Sequence, residues 1–333
     1  MSRKLQAALF ILGAAVFFYF VADIGVRQLM DDAANTGWMF VPIVSVYAFV
    51  YACSAGAWQL TMASDPKRPS FWRTYAITIS AGAINVLTPL INMGGEPYRI
   101  AAVARWMGKR RGAGSVILHR MLHSLSYVVV WLTALGLAFV LLPPVATPKV
   151  LLGVAAAVLL GLIALLLLGH RRGVLERVLD WMNRVPLIRR LAARLEPRRG
   201  LLIELDRQIT EFYHRHPRRF IQAVGLEYLS RCIFMVELVL IAASLGIRLG
   251  YFRAFAIGGL EALLGNVLFF MPFELGAREG GYYVLFRLFG MDPRLGLYTS
   301  IVSRVRDFVW IAAGLLLIWA AGPGAKPADE LAA

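Results

Sequence analysis

Long runs of apolar residues alternate with short polar stretches along most of this chain. A bilayer core about 30 Å thick takes about 20 residues of α-helix at about 1.5 Å per residue. The runs that reach this length predict transmembrane helices at about 5–25, 38–62, 114–142, 149–169, 220–246 and 296–321. The pattern therefore predicts an all-α polytopic membrane protein that forms a single transmembrane domain over residues 1–333.

Two further apolar segments, at about 71–107 and 252–289, are interrupted by proline and glycine. Proline removes a backbone donor and glycine relaxes the dihedral limits, so we expect helix breaks at Pro89 and Pro272. Non-helical backbone at membrane depth survives only where protein or a wet cavity satisfies its polar groups. We therefore predict two re-entrant helical hairpins, with ordinary hairpins of two full spans as the alternative.

Composition and charge agree with this class of protein. Hydrophobic residues make up 59% of the chain and charged residues 17%, with a mean hydropathy of +0.65. A soluble domain keeps about a quarter of its residues charged. The formal net charge of +15 would suit nucleic acid in a soluble protein, but in a membrane protein it indicates basic loops on the cytoplasmic face.

The distribution of Lys and Arg predicts the side of the membrane on which each loop lies. With the N-terminus inside, the inside segments carry 22 basic residues and the outside loops carry five. Much of the inside charge lies in the polar stretch 171–219, which we predict to be an amphipathic cytoplasmic linker on anionic headgroups. No small-residue cleavage site follows the first apolar run, so we expect a retained helix and not a secretory signal.

The two cysteines, Cys53 and Cys232, lie in apolar runs, and we expect both to be packing residues. They form neither a disulfide framework nor a metal-binding spacing, and the sequence contains no nucleotide-binding motif. We therefore expect no metal and no cofactor.

The two interrupted segments resemble each other. Asn-Val-Leu occurs at 85–87 and again at 266–268, and each segment then passes through proline and glycine to acidic and basic residues. In the span that follows, Ser115, Arg120 and His123 have the same spacing as Thr299, Arg304 and Asp307. The charge count gives the two halves opposite orientations, so we predict an inverted repeat of about 38–142 and 220–321.

The repeated segments contain groups suited to an anionic headgroup. Half-helices that start near Glu96 and Ala277 would point free N–H groups at an anion. Arg99 and Arg278 would add the planar donors that match a phosphate, with Glu96 and Glu279 holding them or competing with the ligand. The predicted headgroup-binding residues are Asn85, Gly94, Gly95, Glu96, Arg99, Arg120, His123, Asn266, Glu274, Gly276, Arg278, Glu279, Arg304 and Asp307.

Alternatives remain open for several of these residues. Interfacial arginines that pair with neighbouring glutamates are the alternative for Arg99 and Arg278. Arg120, placed about 9 Å into its span, is expected to have His123 as its hydrogen-bonded partner, and Arg304 and Asp307 would also fit a purely structural pair. Glu237 and Glu261 are further candidates without a repeat partner, and a relay role is the alternative for His119 and His123.

An Asn…Pro…Gly-Gly-Glu…Arg segment at 85–99, a Pro-x-x-x-Gly-x-x-Glu-Gly segment at 272–280 and Arg304 in the last span occur in this order. With these motifs, nearly the whole chain resembles the flippase-like family named for the membrane region of lysylphosphatidylglycerol synthases. The Ser-Arg-x-Arg pattern at 303–306 looks most like the hopanoid-biosynthesis-associated members. The resemblance implies a bacterial inner-membrane protein that translocates or handles lipids.

Two features depart from the family pattern. The aminoacyl-transferring members carry a large soluble catalytic domain, and this chain reaches Ala333 without one, so we do not expect lysyl transfer. His123 stands where the resemblance implies an acidic residue, so a symmetric Arg–Asp arrangement is not expected.

The sequence therefore predicts a non-enzymatic transporter that moves an anionic or polar-headed lipid between leaflets. Its partners would be membrane lipids (an anionic phospholipid, a glycolipid or a hopanoid) and not nucleic acid. One alternative is a non-transporting component of a hopanoid or glycolipid synthesis complex, and another is an intramembrane enzyme that acts on a lipid phosphate. A homo-oligomer or a lipid-synthesis enzyme partner is left open.

Overall fold

A computed structural model describes residues 36–88, 94–142, 215–268 and 274–321, together with a few single positions between them. All the regular structure in these ranges is helical, which confirms the predicted all-α class. A short 3-10 turn, Gly37–Met39, leads into the first helix. The α-helices are α1 (Phe40–Thr61), α2 (Phe71–Leu87), α3 (Gly95–Met107), α4 (Lys109–Leu141), α5 (Pro217–Ser244), α6 (Tyr251–Val267), α7 (Ala277–Leu288) and α8 (Pro293–Ala321).

Four long helices lie where uninterrupted spans were predicted. Two of them, including the turn before α1, are long and apolar enough to cross a bilayer: Gly37–Thr61 and Lys109–Leu141. Helices α5 and α8, with 28 and 29 residues, are as long but carry ionisable residues in their interiors. The predicted spans at 5–25 and 149–169 and nearly all of the linker at 171–219 lie outside the described ranges.

Helix α4 begins at Lys109, earlier than the predicted start of the span at 114. Gly108, with φ +78°, makes the turn between α3 and α4, and the helix then continues through Gly112 and Gly114. Glycine has a low helix propensity, but α3 packs closely against α4 at Gly112. A Cβ built on Gly112 would lie 2.9 Å from the Cγ2 of Val103, so this contact favours glycine. Arg120 is consequently deeper in its helix than the sequence suggested.

The two interrupted segments are pairs of short helices in the structure. Helices α2 and α6 each have 17 residues, and α3 and α7 have 13 and 12. At about 1.5 Å per residue, α2 and α6 are about 26 Å long, short of a bilayer core of about 30 Å. Both breaks are therefore present, while Pro89 and Pro272 themselves lie outside the described residues.

Each half of the chain packs in the same order. In the first half (α1–α4), α1 contacts α2, α2 contacts α3, and α3 contacts α4; in the second half (α5–α8), α5, α6, α7 and α8 repeat these contacts. Between the halves, α1 lies along α5, α4 lies against α6, and α8 lies against α2. The long last helix of each half therefore packs on the first short helix of the other half.

Small residues bring these helices close together where the halves cross. A Cβ built on Gly314 of α8 would lie 2.6 Å from the Cβ of Ala83 on α2. One built on Gly259 of α6 would lie 2.5 Å from the Cβ of Ala134 on α4. Real Cβ atoms do not approach so closely, so neither position has room for a methyl group. Small residues at such crossings are typical of helices packed within membranes.

The outer surface of the bundle is apolar. Large side chains that are mostly exposed include Trp38, Val140, Phe252, Phe308 and Trp319, which is 83% exposed. An aqueous surface rarely carries so many large exposed hydrophobic residues, whereas a lipid-facing surface requires them. The exposed face of the helices therefore fits contact with acyl chains.

The close crossings predict a position-dependent cost of adding one methyl group. Gly259→Ala and Gly314→Ala should each destabilise the protein by about 1–3 kcal/mol, because overpacking forces the helices apart. Gly136→Ala on α4 is the matched control, since nothing lies within 4 Å of a Cβ built there. Thermal unfolding of the purified proteins in one detergent measures the difference. Equal unfolding midpoints for the three variants would contradict the packing described above.

Candidate functional site

The first break places the start of α3 against α2. The N–H of Gly95 donates to the Oδ1 of Asn85 at 2.7 Å, and a Cβ built on Gly95 would lie 2.2 Å from the carbonyl oxygen of Ala81. A Cβ built on Gly94 would overlap the Thr88 side chain in the same way. Both glycines and Asn85 therefore hold the two sides of the break together. We predicted N–H groups free to bind an anion here, but the N–H of Gly95 already donates to Asn85.

Helix α3 then presents Glu96 and Arg99 to the centre of the bundle. The guanidinium of Arg99 lies over the ring of Trp58, 5.2 Å from its centroid, and its Nη1 lies 3.2 Å from the Nδ1 of His119. Around these residues is a group of ionisable side chains, which we call the Arg99 cluster. Its members are Glu96, Arg99, His119, Arg120, His123, Glu227 and Arg231.

Glu96 is the loosely held member of the Arg99 cluster. Its carboxylate lies 3.9 Å from Arg99 and 3.9 Å from Arg120, and among the described residues no donor bonds to either of its oxygens. The Nε of Arg99 is likewise buried without an acceptor there. The pairing of Arg99 with Glu96 predicted from the sequence is therefore present, but as a long contact that leaves hydrogen-bonding groups unused.

Glu227 of α5 is the most fully satisfied acid of the Arg99 cluster. Its Oε1 accepts from the Oγ of Ser54 at 2.7 Å and lies 2.9 Å from the Nε2 of His119. Its Oε2 lies 2.7 Å from the Nδ1 of His123. His123 therefore contacts Glu227 and also Arg231, so the predicted pairing of His123 with Arg120 is wrong. That prediction considered only residues three positions apart on one helix, whereas Glu227 reaches His123 from a different helix, α5.

The second break positions α7 by a different cap. Gly276 has φ +76°, a left-handed conformation that favours glycine, and its N–H donates to the Oε2 of Glu279 at 2.8 Å. As at the first break, the protein itself occupies this N–H. Glu274, just before the cap, also has a positive φ of 54°. The break thus brings Glu274 and Glu279 together beside α8.

These acids and the arginines of α7 and α8 form what we call the Arg278 cluster. Arg278 bonds Glu274 at 2.7 Å and Asp307 at 2.8 Å, and Arg304 bonds Glu279 at 2.6 Å. The predicted pairing of Arg278 with Glu279 and the alternative pairing of Arg304 with Asp307 are therefore both wrong. Arg278 bonds Glu274 and Asp307 instead, and Glu279 bonds Arg304. The cluster consists of Glu237, Glu274, Arg278, Glu279, Arg304, Arg306 and Asp307.

Arg306 is the deepest cation of the Arg278 cluster. It contacts Glu237 of α5 at 3.1 Å and Asp307 at 3.0 Å, and its guanidinium lies 3.7 Å from the centroid of the Tyr47 ring on α1. Ser303 also donates to Glu237, at 3.3 Å. These contacts fasten α8 to α1 and α5 at the interface between the halves.

The two clusters differ in charge as well as in spacing. In the Arg99 cluster, three arginines and two glutamates give a formal charge of +1 when both imidazoles are neutral. In the Arg278 cluster, three arginines and four carboxylates give −1. The first cluster therefore has a net positive charge, and its Glu96 contacts arginine only at 3.9 Å, whereas in the second cluster Arg278 and Arg304 are held in ion pairs of 2.6–2.8 Å.

Most of the predicted site residues lie in one of the two clusters or in the breaks beside them. Asn266 does not: its side chain is exposed and donates to the carbonyl oxygen of Ala262 within its own helix. It therefore differs from Asn85, although both begin the same Asn-Val-Leu triplet. The reason is the cap at Gly276, where Glu279 takes the role that Asn85 has at Gly95.

The predicted headgroup-binding set missed Glu227, Arg231 and Arg306. It also did not include His119 and Glu237, whose roles the sequence left open. The signal that could have found them is the cost of burying ionisable groups in long apolar helices. A second signal was also missed: Phe71-Trp72-Arg73 and Ala76-Ile77 of α2 correspond to Tyr251-Phe252-Arg253 and Ala256-Ile257 of α6. This match lengthens the similarity between the two halves.

The described residues contain no group of three His, Cys, Asp or Glu side chains arranged to hold a metal ion. The clusters are held by the ion pairs and hydrogen bonds described above. Such a site can bind an anionic group through arginine and accept a hydrogen bond through a carboxylate.

Comparison with known proteins gives one match. The family model of the lysylphosphatidylglycerol synthase TM region matches residues 5–314, which include both broken helices and both clusters. No curated protein and no solved structure matches the chain. The family match and the apolar helices together make this a membrane protein, and the chain belongs to the family of the lysylphosphatidylglycerol synthase transmembrane region.

Proposed function

We propose that this protein is a lipid transporter, and not an enzyme, that moves an anionic or polar-headed lipid between the leaflets of the bacterial inner membrane. The observation that carries the proposal is the pair of arginine–carboxylate clusters, one beside each broken helix. In one cluster Arg278 and Arg304 are held in short ion pairs, and in the other Glu96 contacts Arg99 and Arg120 only at 3.9 Å. In a cycle of alternating access, each site is open to its leaflet in one state of the protein and closed in the other.

The proposed cycle also rests on an inverted repeat. The halves share the order of helix lengths, the contacts within each half and the close crossings at Gly259 and Gly314. The same offset of 184 positions relates Gly112 to Gly296 and Arg120 to Arg304, and each of these glycines lies close to the preceding short helix. Combined with opposite orientations in the membrane, this pattern would give each cluster access to a different leaflet.

The unused groups of the Arg99 cluster indicate the kind of headgroup. Arg99 has a buried Nε without an acceptor, and Glu96 has a carboxylate without a donor, among the described residues. A suitable ligand therefore supplies a phosphate oxygen to Arg99 and an O–H or N–H group to Glu96. The side chain of Arg120 is 37% exposed, and we place it at the entrance to the site.

Phosphatidylglycerol and phosphatidylethanolamine both combine a phosphate with such a donor, whereas the choline group of phosphatidylcholine has none. Purified protein in liposomes should move fluorescent analogues of the first two lipids about tenfold faster than the choline analogue, for the loss of one charge-assisted hydrogen bond. Reduction of outer-leaflet fluorophores by dithionite measures the movement. Equal rates for all three lipids would contradict the headgroup assignment, and no movement of any lipid would contradict the transporter.

The arginines themselves give a second prediction. Arg99→Lys and Arg278→Lys keep the charge but lose the planar donors that match a phosphate. Each should slow lipid movement about 10- to 100-fold, the scale of about 1.5–3 kcal/mol for a hydrogen bond to a charged group. Arg105→Lys is the matched control, because Arg105 lies on the exposed face of α3 over the ring of Trp106.

All three variants must retain the unfolding midpoint of the wild type for this comparison to hold. Wild-type rates for both Arg99→Lys and Arg278→Lys at subsaturating lipid would contradict the proposed site. Loss of rate in Arg99→Lys alone would contradict a cycle that uses both clusters.

The orientation follows from the loop charges and is tested separately. Lys67 lies in the short loop between α1 and α2, and Arg248 lies in the loop between α5 and α6. With Cys53 and Cys232 replaced by alanine, Lys67→Cys should react with an impermeant maleimide only in inside-out vesicles. Arg248→Cys should react only in intact cells or right-side-out vesicles. The reverse pattern would contradict a cytoplasmic N-terminus.

A further inference from the structure

Five side chains form a continuous chain of contacts through the first half of the protein and α5. In order they are Arg99, His119, Glu227, His123 and Arg231. Glu227 and His119 are fully buried, at 0% and 1% exposure. The proposed function uses only Arg99 from this chain, so the two imidazoles and the buried acid between them have no role in headgroup binding as described so far.

The hydrogen bonds fix the proton positions on His119. Arginine only donates, so the Nδ1 of His119, 3.2 Å from the Nη1 of Arg99, must be an acceptor. The proton of the neutral ring is therefore on Nε2, which donates to Glu227 at 2.9 Å. For His123, Arg231 lies 3.1 Å from Nδ1 and 3.0 Å from Nε2, so Glu227 decides the tautomer. The Glu227 carboxylate only accepts, so the Nδ1 of His123, 2.7 Å from its Oε2, carries the proton and Nε2 is the acceptor for Arg231. Both rings are thus neutral in this arrangement.

A proton added to the Nδ1 of His119 would change the position of Arg99. The new N–H bond replaces the lone pair that accepts from Arg99, so the Arg99–His119 hydrogen bond breaks while Arg99 keeps its own protons. Two cations would then face each other across about 3 Å, and their repulsion favours movement of Arg99 toward Glu96 or toward a bound anion. Glu227 compensates the new charge, because it already accepts from His119, His123 and Ser54.

We propose that His119 is the binding site of a coupling proton, and that a proton on Nδ1 and a lipid phosphate at Arg99 bind cooperatively. This inference rests on the proposed transporter function and adds the ion that would move with the anionic headgroup. Linkage makes the effect reciprocal: the proton strengthens phosphate binding, and phosphate binding strengthens proton binding by the same factor. Histidine suits this role because its charge changes near neutral pH.

Other ionisable groups lie around His119 and its partners in the Arg99 cluster, and they must be held constant in any test. They are Tyr51 and Cys53 from α1, Glu96 and Arg99 from α3, Arg120, His123 and Tyr127 from α4, and Glu227 and Arg231 from α5. A single conservative substitution at His119 leaves all of them in place.

The experiment measures binding of short-chain phosphatidylglycerol to the full-length protein in phosphatidylcholine nanodiscs. The phosphodiester of this probe stays anionic throughout, so the probe does not titrate. Wild-type protein should bind it about tenfold more tightly at about pH 6 than at about pH 8, within the usual range of allosteric coupling. His119→Gln retains an N–H for Glu227 but cannot gain a proton, and its affinity should be the same at both pH values.

His216→Gln is the matched control, because His216 lies outside both clusters, beside Ser64. It should retain the wild-type pH dependence. A pH dependence that persists in His119→Gln, or disappears in His216→Gln, would overturn the assignment to His119.

A second measurement does not depend on a variant or on transport. The chain has only five histidines, so ¹⁵N-histidine NMR of the wild-type protein in liposomes can follow each ring. Lowering the pH should add a proton to the Nδ1 of His119, and it should do so at a higher pH when phosphatidylglycerol is present. An Nδ1 that stays unprotonated while phosphatidylglycerol binds normally overturns the proton site but leaves the transporter standing. Protonation without any phosphatidylglycerol binding contradicts the cooperative coupling and the proposed headgroup site together.

Discussion

A charge that is buried among apolar helices must meet its counter-charge inside the protein, since an uncompensated one costs several kcal/mol. This constraint acts at several of the places where the helices of this protein meet. Glu227 joins α5 to α4 and, through Ser54, to α1. Glu237 and Arg306 join α5 to α8. Each of these contacts therefore satisfies a group that the surrounding apolar side chains cannot solvate.

The same constraint explains why the two broken helices matter. A helix that ends within the bundle leaves N–H groups unsatisfied, and each break is closed by a side chain of this protein: Asn85 at Gly95 and Glu279 at Gly276. The difference in caps has consequences for the clusters. Because Glu279 serves both the cap and Arg304, the Arg278 cluster is tied to its break. At the first break, no residue that the structure describes donates a hydrogen bond to Glu96.

The helices and their breaks could be predicted because they depend on local sequence. Apolar length located α1, α4, α5 and α8, and proline with glycine located both interruptions. The partners of the charged residues could not be predicted in the same way. Spacing along one helix suggested Arg120 with His123, yet His123 bonds Glu227, 104 positions away in the sequence. Asn266 was assigned by analogy with Asn85, and only the geometry of the cap distinguishes them.

The crossing of α8 on α2 has a consequence for how the chain is made. Ser80 and Gly314, which touch at this crossing, are 234 positions apart. During synthesis, α2 is therefore complete long before the helix that covers it exists, and the matching crossing of α6 on α4 closes only when the second half begins to fold. Contacts of such long range slow assembly and leave surfaces exposed in the meantime. The face of α2 that packs against α8 therefore stays uncovered by its own partner helix until the last helix has been synthesised.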